Sequence, residues 1–174
     1  TLAQIEDAFS VEAVTREFFK QYAALFGDIE AALQQLAARD QAIGDEFTKK
    51  HVSTVDFAKK LMGKIVFLYF LQKKGWLGVE PGQDWGTGPH AFLRRLATGE
   101  YGAYDNFFND ILEPLFYDTL ATDRGHEAWC RNFQCRIPFL NGGLFEPLGD
   151  YDWRQTDITL PNRCSTNAES DPKT

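Results

Sequence analysis

The sequence predicts a mainly α-helical bundle, with one Pro-kinked helix and a short extended and turn segment near the C-terminus. Three observations carry that prediction. Apolar residues recur at spacings of three and four through most of residues 11–120. Gly and Pro cluster between those stretches far more than within them. The 174 residues are 44% apolar and include 15 Phe and 4 Trp, enough to fill one sizeable core.

Ser10 is placed to cap a first helix, with Glu12 in its first turn and Val11, Val14, Phe18, Tyr22, Leu25, Ile29, Leu33 and Leu36 on one face. Gly27 interrupts this stretch at a cost of about 1 kcal/mol relative to alanine, so one bent helix or two shorter ones would present the same face. Gly44 is expected to end the region. Thr54 opens the next helix, in which Ala58, Leu61, Ile65, Leu68 and Tyr69 keep the helical period, and Lys73, Lys74 and Gly75 close it. No polar residue interrupts residues 65–71, which predicts a helix enclosed on most sides. That apolar run is far short of the roughly 20 residues that span a bilayer, so no membrane association is expected.

Residues 78–88, GVEPGQDWGTG, predict a loop. A short helix should follow, with Pro89 in its first turn and Phe92, Leu93 and Leu96 inward. Residues 106–120 predict a helix with Phe107, Ile111, Leu115 and Leu120 on one side and a kink at Pro114. Residues 136–145, RIPFLNGGLF, read as an extended half, a tight Asn141-Gly142-Gly143 turn with positive φ, and an apolar exit. Residues 156–160 should be extended, and the polar residues 163–174 loosely held. The expected organisation is one helical domain over residues 1–162 and a polar tail or linker over 163–174.

Little in the chain has the spacing of a catalytic site. Asp84-Trp85-Gly86-Thr87-Gly88 resembles a Gly-rich cofactor turn, but Pro81 and Gly82 precede it where a buried strand is required. Asp45, Glu46 and Lys49, or Asp56 and Lys59, are the residue types of a metal-dependent nuclease, yet their spacing suits solvated helical charge. His126, Cys130 and Cys135 lack a paired Cys-x-x-Cys and a fourth ligand, so a metal centre is not expected. Three cysteines, the third being Cys164, with no secretory leader predict a reduced, cytoplasmic protein. Trp76, Trp85, Trp129 and Trp153 are read as packing residues before base-stacking ones.

The net charge of -7 argues against a protein that coats nucleic acid, but the charge is unevenly placed. Residues 1–40 carry 3 basic and 7 acidic groups, residues 41–99 carry 9 and 5, and residues 100–174 carry 6 and 13. Lys49, Lys50, Lys59, Lys60, Lys64, Lys73 and Lys74 concentrate the positive charge, with Lys60 and Lys64 one helical turn apart. Two readings stay open for Lys60, Lys64, Lys73 and Lys74: the wet side of a buried helix, or contacts to a DNA backbone.

Five stretches carry a resemblance. AFSVEAVTREFFKQYAALF (8–26), KIVFLYFLQKKGWLGV (64–79), NFFNDILEPLFYDTLAT (106–122), IPFLNGGLFE (137–146) and ITLPN (158–162) resemble, in this order, the helical region of single-chain type IIG restriction-modification enzymes and related adenine-specific DNA methyltransferases. The resemblance spans nearly the whole chain, and LNGGLFE and LYFLQKKGWL are its most specific parts. It implies a helical connector in a larger protein that moves a methyl group from S-adenosylmethionine to adenine N6. A Mg-dependent nuclease domain is a further implied neighbour, and DNA is the implied partner. No catalytic or cofactor-binding residue is carried over, because the family's Gly-rich cofactor turn and Asn-Pro-Pro-Tyr motif have no counterpart here. Residues 163–174 also depart from the family's pattern by turning polar.

Overall fold

The computed structural model describes residues 2–140 and 142–162, with side chains from residue 15 onward. The described chain is mainly α-helical. The first helix, α1, runs unbroken over Leu2–Arg39, 38 residues. Ser10 therefore lies inside α1 and does not cap it, because Ala3, Gln4, Glu6 and Ala8 upstream are strong helix formers. Val11 and Val14 fall where only the backbone is described. Gly27 does not break the helix. It is exposed, and a β-carbon placed there would meet nothing within 4 Å. Its cost is thus conformational alone, and Gly27→Ala is expected to raise stability by about 0.5–1 kcal/mol in urea unfolding. A loss of stability would show that α1 needs freedom there.

Asp40 caps α2 (Gln41–Lys49), its Oδ1 accepting from the Ala42 and Ile43 amides at 2.9 and 3.3 Å. Gly44 sits inside α2 instead of ending the preceding region. A β-carbon there would lie 2.8 Å from the Ala37 carbonyl oxygen, so the glycine permits α2 to fold tightly back on α1.

Ser53 caps α3 (Thr54–Lys73), accepting from the Asp56 amide at 3.0 Å and donating to its carboxylate at 2.8 Å. The end of α3 is a Schellman motif: Gly75 has φ +67, its amide reaches Gln72 O at 2.9 Å, and the Trp76 amide reaches Leu71 O at 3.1 Å. The core takes Ala58, Leu61, Ile65, Leu68 and Leu71 from one side of α3, where it packs on α1. Val66 and Phe70 remain 47% and 49% exposed, so the helix is not enclosed as its apolar run predicts. An uninterrupted apolar run shows what a helix tolerates burying; how many neighbours cover it is a tertiary matter.

The loop after α3 leads to α4 (Phe92–Ala97), which starts three residues beyond Pro89, so the proline precedes the helix and is not in its first turn. The stretch expected as one Pro-kinked α-helix winds instead as two π-helical segments, Phe108–Leu112 and Pro114–Leu120. Pro114 has no amide to donate, and the wider i→i+5 turn gives its ring room against the preceding carbonyls. The Glu113 amide bonds to Phe108 O across one such turn, and Ala121 to Phe116 O at 2.9 Å across another.

Two short antiparallel strands follow, β1 (Trp129–Cys130) and β2 (Cys135–Arg136), with Arg136 also bridged to Val79. Asn141 lies outside the described residues. Gly143 stands in a turn with Leu144 without taking positive φ, and the expected Asn141-Gly142 geometry falls outside the described residues. After a 3-10 turn at Leu148–Asp150, residues 156–160 bury Thr156, Ile158 and Leu160 and expose Asp157 and Thr159. The burial alternates as in a strand, but the Thr159 and Leu160 amides turn back onto the Asp157 and Ile158 carbonyls at 3.1 Å, so the segment is not the extended chain expected from its sequence. The polar stretch 163–174, with Cys164, lies outside the described residues. Phe47, Phe57, Phe108, Phe116, Tyr117, Phe145 and Tyr151 form a continuous aromatic centre that joins α2, α3, the π-helical segments and the C-terminal stretch.

Candidate nucleic-acid interface and a buried polar cluster

The lysines picked out by charge do not share one surface. Lys73 and Lys74 are exposed at the end of α3, with Lys74 Nζ 5.6 Å from the centre of the Phe70 ring. Lys60 is half-buried. Lys59 and Lys49 are turned toward Asp56 and Glu46 at 3.6 and 3.8 Å. Lys64 is only 3% exposed, and its ammonium is committed inside the protein. It donates to Tyr117 Oη and to the Glu146 carbonyl, both at 3.2 Å, and lies 4.3 and 4.9 Å from the ring centres of Tyr117 and Phe116. Lys60 and Lys64 follow the same helix face, but that face turns inward over one turn. Of the four candidate lysines, Lys64 is thus withdrawn from the surface, and Lys60, Lys73 and Lys74 keep access to solvent.

Around Lys64 the structure assembles a polar cluster that sequence reading did not foresee. Glu113, at the junction of the π-helical segments, is fully buried, and Tyr117 and Tyr151 are 7% and 2% exposed. Tyr151 Oη donates to Glu113 Oε1 at 2.5 Å and lies 3.0 Å from Tyr117 Oη. Burial pushes Glu113 up from 4.5 to about 8 and Lys64 down from 10.5 to about 7, since each loses the hydration of its charged form. One signal was available: Glu113 stands alone in ILEPLF and Lys64 alone in MGKIVF, single charges within apolar helical runs.

The remaining candidates disperse. Asp84 to Gly88 belong to the expected loop, held by the Gly86 and Gly88 amides on Gly75 O at 3.1 and 2.9 Å. Asp45, Glu46 and Lys49 lie on α2, whereas Asp56 and Lys59 lie on the first turns of α3. Cys130 and Cys135 face each other across the β pair in the core, with burial pushing the Cys135 thiol up, whereas the His126 side chain is 98% exposed. Among the described residues no group of three or more His, Cys, Asp or Glu is placed to hold a metal. The Arg136 guanidinium lies 4.5 Å from the centre of the Trp85 ring, and Trp153 packs at a tilt against Tyr117 with ring centres 5.3 Å apart. Among the described residues no helix is long and apolar enough to cross a membrane.

Comparison with known proteins gives one informative likeness. The chain is 29% identical over 153 residues to a protein of Methanocaldococcus jannaschii named "Putative type II restriction enzyme and methyltransferase". The alignment covers 77% of this chain and 12% of that protein, so the chain spans about an eighth of its relative's length. No family model and no solved structure matches the chain.

Proposed function

We propose that this chain is a non-catalytic helical connector of a larger restriction-modification protein, one that holds catalytic domains in register on DNA. The observation that carries the reading is the alignment of 77% of the chain with 12% of a protein named for restriction and methyl transfer. The whole protein would transfer a methyl group from S-adenosylmethionine to adenine N6, with the base extruded from the duplex, and would cleave DNA where a Mg-dependent nuclease domain accompanies it. The dense aromatic centre suits such a part, because a close-packed core transmits geometry with little slack. Lys60, Lys73 and Lys74 are the residues offered to the DNA backbone.

Two measurements test this. In the full-length protein, Leu68→Asp should abolish site-specific methylation while S-adenosylmethionine binding elsewhere in the protein persists. Methylation or cleavage of DNA by the purified 174-residue chain would overturn the connector role. For the backbone contacts, gel shifts of the chain on duplex DNA at low salt should weaken uniformly across sequences in Lys60→Glu/Lys73→Glu/Lys74→Glu, and the slope of log affinity against log salt should fall by about 0.9 for each contact removed. Absence of any shift at low salt would remove DNA contact from the proposal.

A second reading, a helical interaction module without enzymatic neighbours, is favoured by Phe18 and Phe19, which stand 53% and 63% exposed on α1. A Gly-rich cofactor turn and an Asn-Pro-Pro-aromatic motif in flanking sequence would decide for the connector; their absence would decide for the module.

A further inference from the structure

Lys64, Tyr117, Tyr151 and Glu113 make one unbroken chain of hydrogen bonds of 3.2, 3.0 and 2.5 Å, linking α3, the second π-helical segment and the stretch after the 3-10 turn. Both ends are ionisable and buried, and among the described residues neither meets a compensating ion directly. Among the described residues, the amine meets beyond Tyr117 the Glu146 carbonyl and two aromatic faces, and Glu113 Oε2 has no hydrogen-bond partner. The ends differ in access. Lys64 and Tyr117 line a narrow cleft with Lys60, Leu61 and Leu148, with room for about one water molecule, whereas Glu113 is sealed.

We propose that these four side chains form a proton-sharing clasp, passing one proton between amine and carboxyl through two phenol hydroxyls, and that its protonation sets how firmly α3, the π-helical segments and the C-terminal stretch are held together. The transfer balances without oxidation or reduction. An N–H bond of the Lys64 ammonium breaks as Tyr117 Oη gains that proton, Tyr117 passes its own proton to Tyr151, and Tyr151 passes its own to Glu113 Oε1. A neutral amine and a neutral acid result, and both phenols are restored. Two separated buried ions give way to none, which is favourable because the attraction between them acts only across two intervening hydroxyls.

The charged neighbours support this polarity. Burial is the main cause of the fall of Lys64 to about 7, Lys60 adds to it, and Glu113 opposes it. Burial is also the main cause of the rise of Glu113 to about 8, with Asp157 and Asp110 adding and Tyr151 and Lys64 opposing. Burial holds both phenols above their ordinary values, so they carry protons without ionising. In the unfolded chain Lys64 stays charged up to about 10.5 and Glu113 down to about 4.5. The stability from Lys64, present above 10.5, is lost as pH falls through 7; that from Glu113, present below 4.5, is lost as pH rises through 8. The two losses overlap between pH 7 and 8, so the clasp holds most weakly there and tightens on either side.

The test compares urea unfolding of the 174-residue chain with that of Lys64→Met/Glu113→Gln from pH 5 to 9.5, so that titration elsewhere cancels. The folding constant of the unsubstituted chain relative to the variant should be lowest between pH 7 and 8 and rise roughly tenfold or more toward each end. A flat ratio, or a maximum at neutral pH, overturns the proposal. Carbon-13 NMR of Lys64 Cε and Glu113 Cδ in the unsubstituted chain tests it even if the double variant does not fold. A neutral amine together with a protonated acid at pH 7.5 supports the clasp, and an ammonium facing a carboxylate refutes it.

Discussion

Replacing Phe116 by alanine is expected to lower the unfolding free energy by about 3–5 kcal/mol. Phe116 is fully buried in the second π-helical segment, with its ring 5.7 Å from Phe145 and 6.0 Å from Tyr117. Lys64 Nζ also rests 4.9 Å from its centre. Truncation therefore removes apolar contacts from three directions and opens space beside a buried amine. The neighbours cannot collapse into that space without disturbing the hydrogen bond from Lys64 to Tyr117. Urea unfolding measures the effect directly. A loss below about 1 kcal/mol would show that this part of the aromatic centre is loosely packed, contrary to the structure.

The second large effect is expected at Arg136, where Arg136→Met should cost about 2–4 kcal/mol. Its side chain is 9% exposed and joins pieces of chain far apart in sequence. Nε donates to Glu127 O at 2.9 Å, Nη1 donates to Gln83 O at 2.6 Å, and the guanidinium lies 4.5 Å from the centre of the Trp85 ring. The backbone of the same residue exchanges hydrogen bonds of 2.8 and 3.0 Å with Val79. Methionine keeps the aliphatic bulk but strands two carbonyls and frees Trp85. The loop 80–88 should then become a site of protease cleavage, and tryptophan emission should shift to the red. Arg136→Lys should recover only part of the loss, because one ammonium cannot reproduce a planar fork of donors. An Arg136→Met chain with unchanged midpoint and emission would mean that the loop is held by the Gly75 carbonyl contacts alone.

How much of this was legible in sequence differs from element to element. The lower half of α1, the start and close of α3, and the loop at 78–88 follow from periodicity, caps and Gly-Pro punctuation, since each depends on residues within a turn or two. Gly44 misled because a glycine that ends a helix and one that lets two helices touch look alike until the partner is placed. Pro114 signalled a disturbed helix, but whether the chain would kink or widen into π turns depended on what its neighbours required.

The lysine series shows the same division. Spacing puts Lys60 and Lys64 on one side of α3, but spacing carries no information about where the aromatic centre begins. By itself, then, the sequence determined that the chain is mainly helical, where α3 begins and ends, and which residues are apolar enough to be inside. Only the tertiary structure decided that Lys64 and Glu113 are inside with them, joined through Tyr117 and Tyr151, while Val66 and Phe70 stay outside. Local propensity acts over a few residues, whereas burial of a charge depends on contacts between positions 34 to 82 residues apart.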